Sequence, residues 1–299
     1  MEKDLLTIQD LTKEDIYALI KRGIELKNLG RKAERSLTGY VLGLIFDKAS
    51  TRTRVSLESA MLKLGGQTIF LSRAETQLSR EESIKDTALV LSRYIDVLAI
   101  RTYSHESVAE MAKWSGIPVI NALTDLYHPC QVLSDLMTVK EKKGSIEGLK
   151  IAWIGDGNNV ANSWIHAARI LGLDLVLSCP QGYYPLPNVL EGSGPNVRIV
   201  KDPRDAARDA DVINTDVWTS MGQENQRAKR RADFTGFQLD RSLIERAKAD
   251  VIIMHCLPAH RGEEITSEVL DGPNSVVLDQ AENKLHLHQA LLERMLIKH

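Results

Sequence analysis

Residues 50–54 read Ser-Thr-Arg-Thr-Arg, so three hydroxyls and two guanidiniums fall in five consecutive positions. Ser50, Thr51 and Thr53 can each donate a hydroxyl hydrogen bond. The planar fork of Arg52 can grip a phosphate or carboxylate with two parallel bonds. That combination suits an anion. Two more clusters in the first half, Arg101-Thr102 and His128-Pro129-Cys130-Gln131, supply further cations and donors. The second half offers a different inventory: Asn158-Asn159, the run 216–222 with Asp216, Ser220 and Met221, and His255-Cys256-Leu257-Pro258. These are amides, a carboxylate and a thiol. Cationic donors on one side and a carboxylate on the other point to an anionic substrate meeting an amine-bearing one.

Such residues need a frame to hold them. Ahead of Ser50, the apolar run 40–46 reads as a strand buried on both faces. After it, Leu57, Ala60, Met61 and Leu64 recur at i, i+3, i+4 and i+7, the stripe of an amphipathic helix. The 50–54 cluster therefore sits where a strand ends and a helix begins. Free backbone N–H groups and the positive end of the helix dipole collect there. Arg52 and Arg54 in a first helical turn oppose that dipole, and a bound anion removes the conflict.

Similar alternation runs along the chain. A capping signal at residues 12–15 opens a helix carrying Ile16, Leu19, Ile20 and Ile24. Strands are expected at 67–71, 96–101 and 117–121, and helices at 84–91 and 107–114, with an aperiodic polar stretch at 72–82. A helix from Pro129 ends in the charged, glycine-stopped run 141–144. Beyond it, strands are expected at 150–154, 174–178, 197–200, 211–215 and 251–255. A helix at 160–171 and a Gly/Pro-rich excursion at 180–195 lie between them. A last stripe, Leu285, Ala290, Leu292 and Met295, reads as a helix returning to the first domain. Strands separated by helices imply parallel sheets, so the expectation is two doubly wound α/β domains. Their bounds are 1–143 and 144–280, with 281–299 as the returning helix. Ligands in such folds bind at the carboxyl ends of the strands, where every cluster named above falls, and a cleft between the domains would bring the two groups together.

Composition excludes several classes. With 38 basic and 40 acidic residues in 299, the net charge is −2, which offers nothing to nucleic acid or an anionic membrane. The basic run 227–231 lacks interleaved aromatics and reads as a solvated helix face or loop. No apolar stretch approaches the ~20 residues that span a bilayer. The charged N-terminal residues carry no signal pattern, so a cytoplasmic address is expected. Cys130, Cys179 and Cys256 form no CxxC pair, and their odd number argues against a disulfide framework. His255-Cys256 with His260, and His286 with His288, lack a second correctly spaced ligand pair, so no metal is expected. Gly155-Asp156-Gly157 follows a strand, but Val160 replaces the third glycine of a dinucleotide fingerprint. No acidic residue ends the next strand either. NAD is not expected.

Taken in order, Ser-Thr-Arg-Thr-Arg at 50–54, His-Pro-Cys-Gln at 128–131, Asp216 to Gly222, and His-Cys-Leu-Pro at 255–258 resemble the aspartate/ornithine carbamoyltransferase family over nearly the whole chain. Ser-Met-Gly at 220–222 with His-Cys-Leu-Pro is similar to its ornithine branch. The resemblance implies carbamoyl transfer from carbamoyl phosphate to the side-chain amine of ornithine, giving citrulline and phosphate in arginine biosynthesis, without metal or cofactor. It implies that carbamoyl phosphate lies on Ser50, Thr51, Arg52 and Thr53, with Arg101, His128 and Gln131 at its carbamoyl end and Cys256 and Leu257 beside the attacking amine. Arg101, His128 and Cys256 are the implied catalytic residues. Asn159, Asp216, Ser220 and Met221 resemble the ornithine positions. Gln77 resembles the residue that reaches a neighbouring site in a homotrimer. One position departs: where the family commonly carries Arg after Ala-Glu-Asn, this chain has Lys284, which keeps the charge and loses the fork. The rivals are a carbamoyltransferase for putrescine or N-acetylornithine, and a non-catalytic anion-binding module.

Overall fold

The structure, a computed structural model, describes residues 3–72, 82–220 and 222–297. The chain divides into two compact units, Met1–Met137 with Glu282–His299, and Thr138–Ala281.

The first unit opens with helix α1 (Lys13–Leu29), where Thr12 and Asp15 exchange side-chain and backbone hydrogen bonds in a capping box. Then follow β1 (Val41–Phe46), α2 (Arg52–Lys63), β2 (Gln67–Ser72), α3 (Ile84–Leu91), β3 (Val97–Arg101), α4 (His105–Trp114), β4 (Val119–Leu123) and α5 (Pro129–Lys143). Every strand pairs in parallel, in the order β2-β1-β3-β4. β1 and β3 occupy the middle and are buried on both faces, which is why their sequences read as unbroken apolar runs. From β1 the chain steps outward to β2 and then returns to β3 on the other side of β1. The strand order therefore reverses between β1 and β3. A cluster of Ile45, Ile95, Leu98, Ile100, Val108, Met111 and Val119 packs this sheet against its helices.

The second unit carries β5 (Lys150–Ile154), α6 (Asn159–Leu171), β6 (Asp174–Ser178), α7 (Pro187–Leu190), β7 (Val197–Val200), α8 (Pro203–Ala207), β8 (Val212–Thr215), α9 (Arg227–Asp233), α10 (Arg241–Ile244), β9 (Ile252–His255) and α11 (Ser267–Leu270), followed by α12 (Val277–Leu296). Its sheet is also parallel, ordered β7-β6-β5-β8-β9, and reverses between β5 and β8. Ala152, Ile154, Ile213, Ile253, Leu239 and Val269 lie in its main core cluster. Two doubly wound parallel-sheet units are the architecture expected from the alternation.

Three local expectations need correction. Helix α4 starts at His105, because Ser104 caps it by accepting the Ser107 N–H. β4 starts at Val119, after Pro118, which has no N–H to give to a ladder. The final helix begins at Val277, ahead of its apolar stripe. Gln280, Asn283, Lys284, His286, His288, Gln289 and Glu293 are all buried on α12, so its inward face is largely polar and apolar periodicity understates it. Its C-terminal part belongs to the first unit, where Arg22 pairs with Glu293 at 2.7 Å and Arg294 with Asp15 at 2.9 Å.

Candidate active site

In each unit the strand order reverses once, and at such a reversal two neighbouring loops leave the sheet in opposite directions and open a crevice. In the first unit these are the loops after β1 and β3. The strands run in register there, with Phe46 beside Arg101, and the Asp47 N–H donates to the Arg101 carbonyl at 2.8 Å. Ser50 and Arg52 are half-buried, Thr51 is exposed and Thr53 is buried at the start of α2. The Thr53 N–H donates to Ser50 Oγ at 3.3 Å, a local turn that leaves the hydroxyls of Thr51 and Ser50 at the helix end. Arg54 goes elsewhere. Its guanidinium pairs with Glu58 at 3.0 Å and lies 3.4 Å over the Phe70 ring, so of the two arginines Arg52 alone remains for an anion.

Arg101, His128, Gln131 and Lys284 are buried together. Lys284 Nζ donates to Gln131 Oε1 at 2.8 Å, and Gln131 Nε2 donates to Asp135 Oδ1 at 2.8 Å. The amide orientation is thus fixed, oxygen toward the cation and nitrogen toward the carboxylate. Burial holds His128 well below the ordinary imidazole range, and the nearby charges of Lys284 and Arg101 push it the same way. His128 is therefore neutral at pH 7 and can donate an N–H without carrying charge. His286 and His288 take separate partners, Gln289 at 3.1 Å and Ser56 at 3.0 Å.

In the second unit the loops after β5 and β8 flank the reversal. Asn158 caps α6, accepting from the Val160 and Ala161 N–H groups, and turns its amide nitrogen to Asp216 Oδ2 at 2.7 Å. Asp216 Oδ1 accepts from the Val217 N–H at 2.8 Å and from Cys256 Sγ at 3.1 Å. A buried carboxylate with three donors is held in one orientation before any ligand arrives. Asn159, singled out from sequence, is the first residue of α6, and its neighbour Asn158 makes the Asp216 contact. Ser220 is half-buried at the end of the same loop. Gln77 and Met221 lie outside the described residues.

The basic run at 227–231 is not a solvated face throughout. Arg230 is buried, with Nη1 donating to Asp156 Oδ2 at 3.0 Å and to the Trp218 carbonyl at 2.6 Å, while its guanidinium stacks 4.8 Å over the Tyr183 ring. It ties the β5 loop to the β8 loop. Burial raises the Asp156 carboxyl to about 6 despite Arg230, and the charge of Asp216 acts in the same direction.

Both glycines of the Gly-x-Gly pair have structural causes. Gly155 adopts φ +135, where a side chain is strained. At Gly157 a Cβ would lie 2.3 Å from the Pro185 nitrogen and 2.5 Å from the Tyr184 carbonyl carbon. Backbone of the 180–195 excursion covers that end of the strand. For a metal, Asp216, His255 and Cys256 offer one ligand atom each within 4.8 Å of one another, but the imidazole nitrogens of His255 already face the Leu257 N–H and Glu264. Among the described residues no helix is long and apolar enough to cross a membrane.

Comparison with known proteins agrees with this division of labour. Residues 3–141 match the aspartate/ornithine carbamoyltransferase carbamoyl-P binding domain, and residues 147–295 the Asp/Orn binding domain. The chain is 53% identical to the ornithine carbamoyltransferase of Desulfotalea psychrophila, over 99% of this chain and 100% of that one. It is 50% identical to that of Bacillus subtilis, over 99% and 94%. The solved ornithine carbamoyltransferase of Pyrococcus furiosus superposes with a TM-score of 0.95 at 48% identity, covering 99% of this chain and 98% of that one.

Proposed function

Because the chain belongs to the aspartate/ornithine carbamoyltransferase family, we propose that it transfers the carbamoyl group of carbamoyl phosphate to the side-chain amine of L-ornithine, releasing L-citrulline and phosphate. The observation that carries the ornithine assignment is the Asp216 carboxylate, oriented by Asn158, the Val217 N–H and Cys256 at the reversal of the second sheet. A buried, pre-oriented carboxylate is a partner for an α-ammonium, which N-acetylornithine has masked as an amide.

In this reading the phosphate lies on Ser50, Thr51, Arg52 and Thr53 and on the N-terminal end of α2, whose dipole and N–H groups favour negative charge. Arg101 and the neutral imidazole of His128 donate to the carbonyl oxygen, where charge develops as the amine adds. Such a donor contributes ~3–4 kcal/mol. Gln131, held by Lys284, faces the carbamoyl end. The neutral amine nitrogen bonds to the carbonyl carbon, the C–O bond to phosphate breaks with its electron pair going to phosphate, and the nitrogen's surplus proton passes to the departing phosphate. The amine must first lose a proton from a group whose reference pKa is ~10.4. Desolvation and neighbouring cations promote that loss. Cys256 Sγ, held 3.1 Å from Asp216 Oδ1, faces the amine and relays its proton toward solvent, leaving the Asp216 carboxylate charged for the α-ammonium. Asn159, Ser220 and Met221 complete the amino-acid site, and Leu257 lines the attacking amine.

We further place the enzyme in arginine biosynthesis, in the cytoplasm and as a homotrimer whose neighbouring sites are joined through Gln77. Three free thiols fit a reducing compartment. The exposed Val55 and Leu62 of α2 and Leu89, Val90 and Tyr94 at and just beyond α3 fit an associating surface on the first unit. Purified protein is expected to make citrulline from carbamoyl phosphate and ornithine, and to leave putrescine, N-acetylornithine and aspartate unused. Turnover of putrescine with none of ornithine overturns the substrate assignment. Sedimentation showing a monomer at micromolar concentration overturns the trimer.

A further inference from the structure

We propose that His255 and Glu264 are positioning residues: a buried imidazole–carboxylate pair that braces the Cys256-Leu257 segment so that Cys256 faces Asp216. The inference rests on the reading of Cys256 and Asp216 as parts of the amine site.

Leu257 has φ +57, the left-handed region that a residue with a branched side chain avoids. Strain of this kind persists only where the surroundings impose it. Here the imposing contact is identifiable. The Leu257 N–H donates to His255 Nδ1 at 2.9 Å, so that nitrogen carries no proton and Nε2 must. Nε2 lies 3.0 Å from Glu264 Oε1, to which it donates. Both side chains are fully buried. Glu264 is itself anchored, its Oε1 accepting the His260 N–H at 2.5 Å and its carbonyl accepting the Leu239 N–H at 2.8 Å. On the other side, the His255 N–H donates to Gln280 Oε1 at 2.9 Å. The imidazole is therefore fixed at its backbone and at both nitrogens. The one thing it controls is the direction in which the chain leaves β9. That direction decides where Cys256 Sγ lies, now 3.1 Å from Asp216 Oδ1. With neither ring nitrogen available, His255 acts through Leu257 and not on a substrate.

Two amide substitutions separate the roles of the ring nitrogens. In His255→Asn the side-chain oxygen overlays Nδ1 and keeps an acceptor for the Leu257 N–H. In His255→Gln the nitrogen overlays Nε2, keeps the reach to Glu264 and loses that acceptor. The readout is the rate at which iodoacetamide alkylates Cys256, which is half-exposed whereas Cys130 and Cys179 are buried, together with kcat for ornithine. His255→Gln is expected to speed alkylation at least tenfold and lower kcat at least a hundredfold, with the carbamoyl phosphate KM within twofold. His255→Asn is expected to stay within threefold in alkylation and within tenfold in kcat. Glu264→Gln, isosteric and still an acceptor, is expected to raise alkylation about threefold, and it decides the matter if His255→Gln does not fold. Equal behaviour of the two His255 variants, or an unchanged rate in Glu264→Gln, overturns the brace. A protein that makes no citrulline overturns the functional reading, while the alkylation rates still test the brace.

Discussion

The two crevices are built on the same plan and filled on opposite principles. In the first unit Arg101 and Lys284 are buried around a histidine that their charges and its burial keep neutral. The N-terminal end of α2 adds further positive potential. In the second unit the central group is a carboxylate already satisfied by an amide, a backbone N–H and a thiol. One site concentrates positive charge where an anion is to bind, whereas the other holds its carboxylate in one orientation before its ligand comes. A leaving phosphate needs an environment that gains from negative charge. A nucleophilic amine needs a fixed point of attachment that does not itself react.

The most direct way to break the contrast is to discharge the first site. Arg101→Met, with a side chain of similar reach, is expected to lower kcat about a thousandfold, equivalent to about 4 kcal/mol of lost transition-state stabilisation. Steady-state kinetics check this, and a loss below tenfold contradicts the oxyanion role. Asp216→Asn keeps the shape of the second site and removes its charge. It is expected to lower kcat/KM for ornithine about a hundredfold, or roughly 2.7 kcal/mol. Carbamoyl phosphate affinity, measured by calorimetry, should stay within twofold. Equal losses for both substrates would mean that the two sites do not divide the work as argued.

The first site was legible in the sequence because its chemistry is local. Ser50 to Thr53 and His128 with Gln131 are short runs at strand-to-helix junctions, and both junctions follow from apolar patterning. The second depends on partners far apart in the chain. Asn158 and Asn159 are equally plausible by type, and only the cap of α6 decides that Asn158 turns to Asp216. The N-cap residue precedes the first helical turn, so the two neighbours serve different ends and the expectation for Asn159 is separate from this contact. Arg230 looked like surface because its neighbours are basic. Its partner Asp156 lies 74 residues earlier, and no pattern within the run announces the pair. Gly157 resembled a phosphate loop because tight packing of one backbone on another selects glycine just as a pyrophosphate does.

A gentler test sharpens the contrast without altering a residue. A ligand that binds only the folded state stabilises it by RT ln(1 + [L]/Kd), about 2.7 kcal/mol at a hundredfold excess over Kd. At equal ligand concentration, inorganic phosphate or carbamoyl phosphate is expected to give most of this shift, because the positive charge is concentrated in the first site. Ornithine alone should give less than a quarter of it. Calorimetric melting in each ligand decides, and a larger shift from ornithine alone would contradict the charge assigned to the first site.

The smallest expected effect lies beneath the second site and concerns proton linkage. Burial lifts the folded-state Asp156 carboxyl to about 6 from an ordinary 3.8. Between those values the unfolded chain has released the proton and the folded chain still holds it. The folded state then binds more protons, so stability falls as pH rises from about 4 to about 6 and levels off above. The full excursion is on the order of 1–2 kcal/mol after allowance for the Arg230 pair. Asp156→Asn is neutral at every pH and should flatten this segment of the stability curve, measured by urea unfolding at constant ionic strength. Arg230 keeps its second acceptor, the Trp218 carbonyl, in that variant. The β8 loop should therefore stay in place and ornithine KM should change less than fivefold. A steep slope surviving in Asp156→Asn would move the titration to another group, and a collapse of ornithine binding would mean that the Asp156 charge, not only its shape, holds the loop that carries Asp216.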